Sequence, residues 1–225
     1  VWIPCCCWNN FWMKILRFTS GDTYTPFAPY WDYFICEDEI HANLESLQRQ
    51  ILAREKNIIS STEFEDDWGT QLGPDSLTSR SNTYNLLTWT DAVPIREEVR
   101  RTHDLFREQL GLPHVLVYAQ AWANVMRKGE KIEAHRHGND PLTYLSGHVC
   151  IKVDGTKTYY KKPYGGEDFA SDNEVNKVTL FPSCIEHYTD RYEGDEERVT
   201  IAFDILTQQG YDNVKDEWKD HWVTL

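Results

Sequence analysis

The chain has 225 residues, 40% of them apolar, enough for one core of moderate size with or without a helical annex. Lys and Arg total 23 against 36 Asp and Glu, a net charge of −13, so the overall field repels phosphate backbones and nucleic acid is disfavoured as a partner. No apolar run approaches the roughly 20 residues a bilayer span needs, so no membrane segment is expected.

Residues 1–12 are rich in Trp and Cys and lack the features of a signal peptide; they precede Met13, which resembles a chain start, and are expected to be an extension without functional weight. The six cysteines, three of them consecutive at positions 5, 6 and 7, fit neither a disulfide framework nor paired CxxC zinc spacing, which points to a reducing compartment, the cytoplasm. Ile40, Leu44, Leu47, Ile51 and Leu52 recur at three- and four-residue spacing and predict an amphipathic helix over 38–56. Residues 60–85 are polar and carry Gly-Pro-Asp-Ser turn chemistry, so a loop is expected there. A second helix is predicted from Pro94, whose fixed φ suits a first turn, to Gly111 as its stop.

Beyond Pro113 the period changes from helical to two-residue. Residues 115–126 place Val and Ala on one face and Tyr118, Gln120, Trp122 and Asn124 on the other, a strand whose polar face needs something to contact. Further strands are predicted at 142–153, 178–181 and 199–206, with Asp154-Gly155 as a hairpin turn leading into 156–160. The expected organisation is one domain: a helical and loop region over 13–113 packed on an all-β barrel or sandwich over 114–208, followed by a tail, 209–225.

His135 and His137 stand two residues apart, a spacing that puts both imidazoles on one face of a strand. His187 follows the strand-like 178–182 stretch and can fold back onto them, whereas His41, His103, His114, His148 and His221 are expected on the surface or in packing. Three neutral ligands leave about half of an octahedral shell open, which suits iron with a chelating co-substrate and O₂; tetrahedral closure would suit zinc instead. Asp140 is a second candidate ligand.

Arg198 opens the strand at 198–203 and shares a face with Thr200, while Val199, Ile201 and Phe203 share the other. An inward guanidinium is costly without an anion, and a carboxylate gripped through two hydrogen bonds is its best geometric match. Asp204 is the one acid placed locally on that face, so a bound dicarboxylate is a candidate partner; the alternative is an ion pair with the acidic turn Glu193-Gly194-Asp195-Glu196-Glu197. Gln120, Trp122 and Asn124 are expected to line the pocket, and the aromatic, glycine-ended 159–166 stretch to act as a mobile loop over it, with Tyr160 and Tyr164 meeting substrate.

Taken in order, Trp122-Ala123-Asn124-Val125, His135-Arg136-His137, Leu145-Ser146-Gly147, Leu180-Phe181-Pro182 before His187, and Arg198-Val199-Thr200-Ile201-Ala202-Phe203 resemble the iron(II)/2-oxoglutarate oxygenase superfamily, within it the small prolyl-hydroxylase-like members of bacteria and their phages. The resemblance covers a little over a third of the chain. It implies a mainly β fold with flanking helices, a double-stranded β-helix of the cupin-like jelly-roll type. His135, His137 and His187 would hold Fe(II), Arg198 with Thr200 would hold the far carboxylate of 2-oxoglutarate, and Tyr144 would be an extra donor, with Trp122 and Asn124 beside the co-substrate. O₂ would be the third reactant and a peptide or protein side chain the first substrate to consider. One position departs from the superfamily: His137 stands where an Asp or Glu ligand is usual. Three other classes share parts of the pattern, namely a cupin-type enzyme or sugar-binding module, a three-histidine zinc hydrolase and a catalytically silent β-barrel. Cupins need no arginine placed like Arg198.

Overall fold

The computed structural model describes residues 13–64, 66–67 and 69–225; the 1–12 extension lies outside the described residues. Among the described residues ten strands form two sheets. In chain order they are β1 (Lys14–Thr19), β2 (Asp32–Glu39), β3 (Val117–Met126), β4 (Leu145–Lys152), β5 (Lys157–Tyr160), β6 (Phe169–Asp172), β7 (Lys177–Pro182), β8 (His187–Thr189), β9 (Arg198–Thr207) and β10 (Val223–Thr224). The large sheet runs β1-β2-β7-β4-β9-β3-β10 and the small one β6-β5-β8, with antiparallel pairing throughout.

Helices α1 (Glu45–Ser61) and α2 (Val93–Gln109) cover the outer face of the large sheet. Leu47 and Ile51 of α1 and Ile95, Val99 and Phe106 of α2 join one buried cluster with Val117, Ala119, Ala121, Ala123, Val149, Ile201 and Phe203. The small alanines of β3 let the helices sit close to the sheet. Pro94 lies in the first turn of α2, and Gly111 follows its end at φ +66°, as the composition at both ends predicts. A short helix, α3 (Gln208–Asp212), follows β9.

Three expectations are corrected. Two strands, β1 and β2, occupy 14–39, and the predicted 38–56 helix begins only at Glu45. Asp38, where the predicted helix starts, belongs with Glu37 to β2, where both acids are paired through space. Glu37 accepts from Ser171 (2.5 Å) and pairs with Lys177 (3.0 Å) and Lys14 (3.2 Å), and Asp38 pairs with Arg101 (2.9 Å). The 13–113 region therefore supplies an edge of the sheet as well as its helices, and the tail adds β10 at the opposite edge. The Asp154-Gly155 turn does not close a hairpin: β4 pairs with β7 and β9 in the large sheet while β5 pairs with β6 and β8 in the small one, so Gly155, at φ +60°, turns the corner between sheets.

Between the sheets, Tyr160 of β5 packs edge-on against Phe181 of β7 with ring centres 5.1 Å apart, and Tyr33, Ile35 and Ile185 complete this cluster. Beyond it the sheets part around a cavity.

Candidate metal and co-substrate site

Strand β9 sets the cavity wall. Its residues alternate, with Val199, Ile201, Phe203 and Ile205 in the outer core and Arg198, Thr200, Ala202 and Asp204 facing the cavity. Register then fixes three cross-strand rows on the inner face: Ser146–Asp204–Gln120, His148–Ala202–Trp122 and Cys150–Thr200–Asn124. Ala202, the smallest side chain of the wall, leaves room between His148 and Trp122. Gly147 serves the opposite face, where an added Cβ would run into the Thr179 carbonyl and the Phe203 ring.

The cavity measures about 230 Å³ and brings together His135, His137, His187, Arg198, Thr200, Trp122 and Asn124. His135 and His187 sit directly opposite in an isolated β-bridge, His135 N to His187 O at 3.1 Å and His187 N to His135 O at 2.9 Å. The His135-Arg136-His137 pair therefore lies on an extended segment with a single bridge and not in a regular strand; the amide of His137 is held by the Ser183 carbonyl (2.9 Å). A nitrogen from each ring lies within 4.8 Å of the others.

Each Nδ1 already has an acceptor. His135 Nδ1 donates to the Glu133 carbonyl (2.9 Å), His187 Nδ1 to the Ile185 carbonyl (3.2 Å) and His137 Nδ1 to the Asp204 carboxylate (2.6 Å). Carbonyl and carboxylate oxygens only accept, so these contacts put the proton on Nδ1 and leave all three Nε2 lone pairs for a metal. Burial, reinforced by the neighbouring histidines, pushes His135 down to about 4 and His187 well below the ordinary histidine range. Both are neutral, as ligands must be, at physiological pH. The donor set thus fits a divalent ion held by three imidazoles with the rest of its shell open. Asp140 lies outside this group; its carboxylate takes the Leu142 amide at 2.7 Å.

Arg198 is 1% exposed, its Nε donating to the Thr156 hydroxyl (3.1 Å) and one terminal nitrogen lying 3.2 Å from the Met126 sulfur. Among the described residues it has no carboxylate partner. The acidic turn is engaged elsewhere, Asp195 with Lys128 and Glu196 with Lys152, and Asp204 with His137. A buried guanidinium on a cavity wall is costly without an anion to meet it.

Two further expectations need correction. Tyr144 does not line this cavity: its hydroxyl meets His103 (2.9 Å) and Arg107 (2.7 Å) of α2. Tyr160 is fully buried against Phe181 and His187, so it cannot belong to a loop over substrate, whereas Tyr164 is 83% exposed.

Other residues enter the site without having been singled out. His148, expected on the surface or in packing, lines the cavity and is pushed down to about 3 by burial and by Arg198. Thr70, Thr78, Ser81 and Asn82 bring the polar 60–85 segment over the cavity, Thr78 donating to Asn124 (2.6 Å) and Gln120 to the Ser81 carbonyl (2.7 Å). Trp222 reaches the same wall from the tail, and half-exposed Arg136 marks the mouth. The period-two pattern of 115–126 already pointed to the inner face of β3, but only the tertiary fold brings in the 60–85 loop and the tail.

No protein-family model matches the sequence, nor does any curated protein. Among solved structures, a Pseudomonas putida prolyl-4-hydroxylase superposes with a TM-score of 0.52 at 10% identity over 76% of this chain and 92% of its own. A Trichoplax adhaerens prolyl hydroxylase, determined with a hypoxia inducible factor peptide fragment, gives 0.51 at 10% identity, with 81% and 87% covered. With its two antiparallel sheets opening on a cavity, the chain has a double-stranded β-helix fold similar to that of these two prolyl hydroxylases.

Proposed function

We propose that the chain is an iron(II)- and 2-oxoglutarate-dependent dioxygenase that hydroxylates a substrate side chain, with a peptide as the first class to screen. The observation that carries this reading is the single cavity holding three free imidazole nitrogens and a buried guanidinium without an ionic partner among the described residues. His135, His137 and His187 would hold the iron, and Arg198, flanked by Thr200, would hold the far carboxylate of 2-oxoglutarate. The bound metal and co-substrate supply O₂ activation with release of succinate and CO₂.

The chain's own residues orient and enclose. The backbone bridge between His135 and His187 fixes two of the ligands, and the Trp122 ring stacks on His137 with centres 5.6 Å apart. Trp122, Trp222, Thr70, Thr78, Ser81 and Asn82 line the cavity beside the histidines, which limits water around the reacting atoms. Arg198 argues against a cupin-type or closed zinc site, since neither has use for a solitary buried cation beside the metal. The acidic surface disfavours nucleic acid as substrate. Cys36, Cys150 and Cys184 are free thiols, in keeping with a cytoplasmic setting. Among the described residues, no helix is long and apolar enough to cross a membrane.

The test is succinate release from 2-oxoglutarate by iron-reconstituted protein against a peptide and metabolite panel, read by mass for a gain of one oxygen. Succinate formation that requires iron and vanishes in His187→Ala is the expected result. Metal-independent or zinc-dependent hydrolysis with no succinate would overturn the reading.

A further inference from the structure

We propose that Asp204 supplies, through His137, the negative charge that the metal centre lacks because its three ligands are all neutral. This inference rests on the metal reading of the three histidines and goes further, because it assigns a role to a residue outside the ligand set.

The observations are geometric. Asp204 Oδ1 accepts from His137 Nδ1 at 2.6 Å, so the carboxylate lies on the far side of the ring from the nitrogen free to bind metal. Among the described residues no Lys or Arg pairs with Asp204, so the imidazole is its one cationic or polarisable partner of that kind. The contact is built into the sheet. Asp204 shares the β9 face with Arg198 and Thr200, and register places Ser146 of β4 directly beside it. The Ser146 hydroxyl donates to the same Oδ1 at 2.5 Å and lies 2.7 Å from the Ser183 hydroxyl, while the Ser183 carbonyl holds the His137 amide. One network thus fixes the carboxylate and the backbone of the ligand it supports.

Its chemistry follows from the pairing. A carboxylate on Nδ1–H increases the electron density at Nε2, makes the imidazole a stronger donor and offsets part of the dication's charge. His135 and His187 donate to neutral backbone carbonyls and gain no such charge. His137, the ligand at the position usually held by an acid, is the one backed by an acid. Asp204 is a positioning residue by this account: it acts through His137 and need not touch metal or substrate.

The discriminating experiment is calorimetric titration of the full chain with Mn(II) in four forms: wild type, Asp204→Asn, His137→Asp and His137→Asp/Asp204→Asn. Asp204→Asn should weaken Mn(II) binding roughly 10- to 100-fold in the native background. In the His137→Asp background the ligand is itself anionic and adjacent to Asp204, so Asp204→Asn should leave the affinity unchanged or raise it. An equal loss in both backgrounds would show a merely structural role, and no loss in the native background would remove the role altogether; either overturns the proposal. If Asp204→Asn alone does not fold, the two His137→Asp forms decide, a loss on adding Asp204→Asn being the refuting result. A wild-type protein that binds no Mn(II), Co(II) or Fe(II) overturns the preceding functional reading as well.

Discussion

Arg198→Met should separate stability from function in an unusual direction. The guanidinium is removed from water, and among the described residues only the Thr156 hydroxyl and the Met126 sulfur receive it. Replacing buried ionic groups with apolar ones of similar volume is often neutral or stabilising by about 1–4 kcal/mol. The metal-free, ligand-free variant is therefore expected to be at least as stable as the wild type in urea denaturation. Co-substrate binding should fall sharply, because two charge-assisted hydrogen bonds, each worth about 1.5–3 kcal/mol, disappear, a loss of roughly 100-fold or more. Linkage turns that loss into a second readout. In Mn(II)-loaded protein, 2-oxoglutarate at 100 times the wild-type Kd should add about 2.7 kcal/mol to the wild type, but only about 0.4 kcal/mol to a variant bound 100-fold more weakly. A variant that is clearly less stable than wild type without ligand, yet keeps its 2-oxoglutarate affinity, would refute the assignment of Arg198 as an anion site.

Three other perturbations follow from the same geometry. Gly147→Ala drives a methyl group onto the Thr179 carbonyl and the Phe203 ring and should lower stability by about 1–3 kcal/mol; an unchanged urea midpoint would contradict that packing. Tyr160→Ala should cost ~3–5 kcal/mol and weaken metal binding through its contact with His187, while Tyr164→Ala should stay within ~0.5 kcal/mol of wild type, and equal effects would reverse this assignment of inside and outside. His148 carries a pH signature. Its folded pKa of about 3 lies below the ordinary value near 6.5, so the unfolded chain binds the extra proton and stability is lost as pH falls from 6.5 towards 3. Between pH 7 and 5.5 this amounts to about 1 kcal/mol in the metal-free protein. Urea titrations should show that loss diminished in His148→Gln, and an identical pH slope in both proteins would count against it.

The inner face of the large sheet was legible because β3 and β9 keep a strict two-residue period, so Trp122, Asn124, Arg198 and Thr200 could be grouped before any coordinates. What was hidden depended on cross-strand register. Asp204 reads as a partner for Arg198 when only the strand's own alternation is considered, yet six residues along a strand is roughly 20 Å. The neighbouring strand instead brings Ser146, and the segment before that strand His137, to that carboxylate. The end of β2 was obscured because the apolar spacing from Ile40 onward carries the predicted helix back to Asp38, while the cations that neutralise Glu37 and Asp38 in the strand come from positions 14, 101 and 177. The Asp154-Gly155 pair is a turn signal, but local sequence cannot say whether a turn closes a hairpin or changes sheets. Tyr144 illustrates the same gap, since its partners His103 and Arg107 lie on a helix some 40 positions earlier.

A diffraction experiment on crystals grown anaerobically with Fe(II) and 2-oxoglutarate, with data collected at the iron edge, tests the whole site at once. One anomalous peak is predicted between the Nε2 atoms of His135, His137 and His187, with the co-substrate reaching from it to the Arg198 guanidinium. A peak elsewhere, a metal closed off by a fourth protein ligand, or a co-substrate that leaves Arg198 untouched would contradict the account.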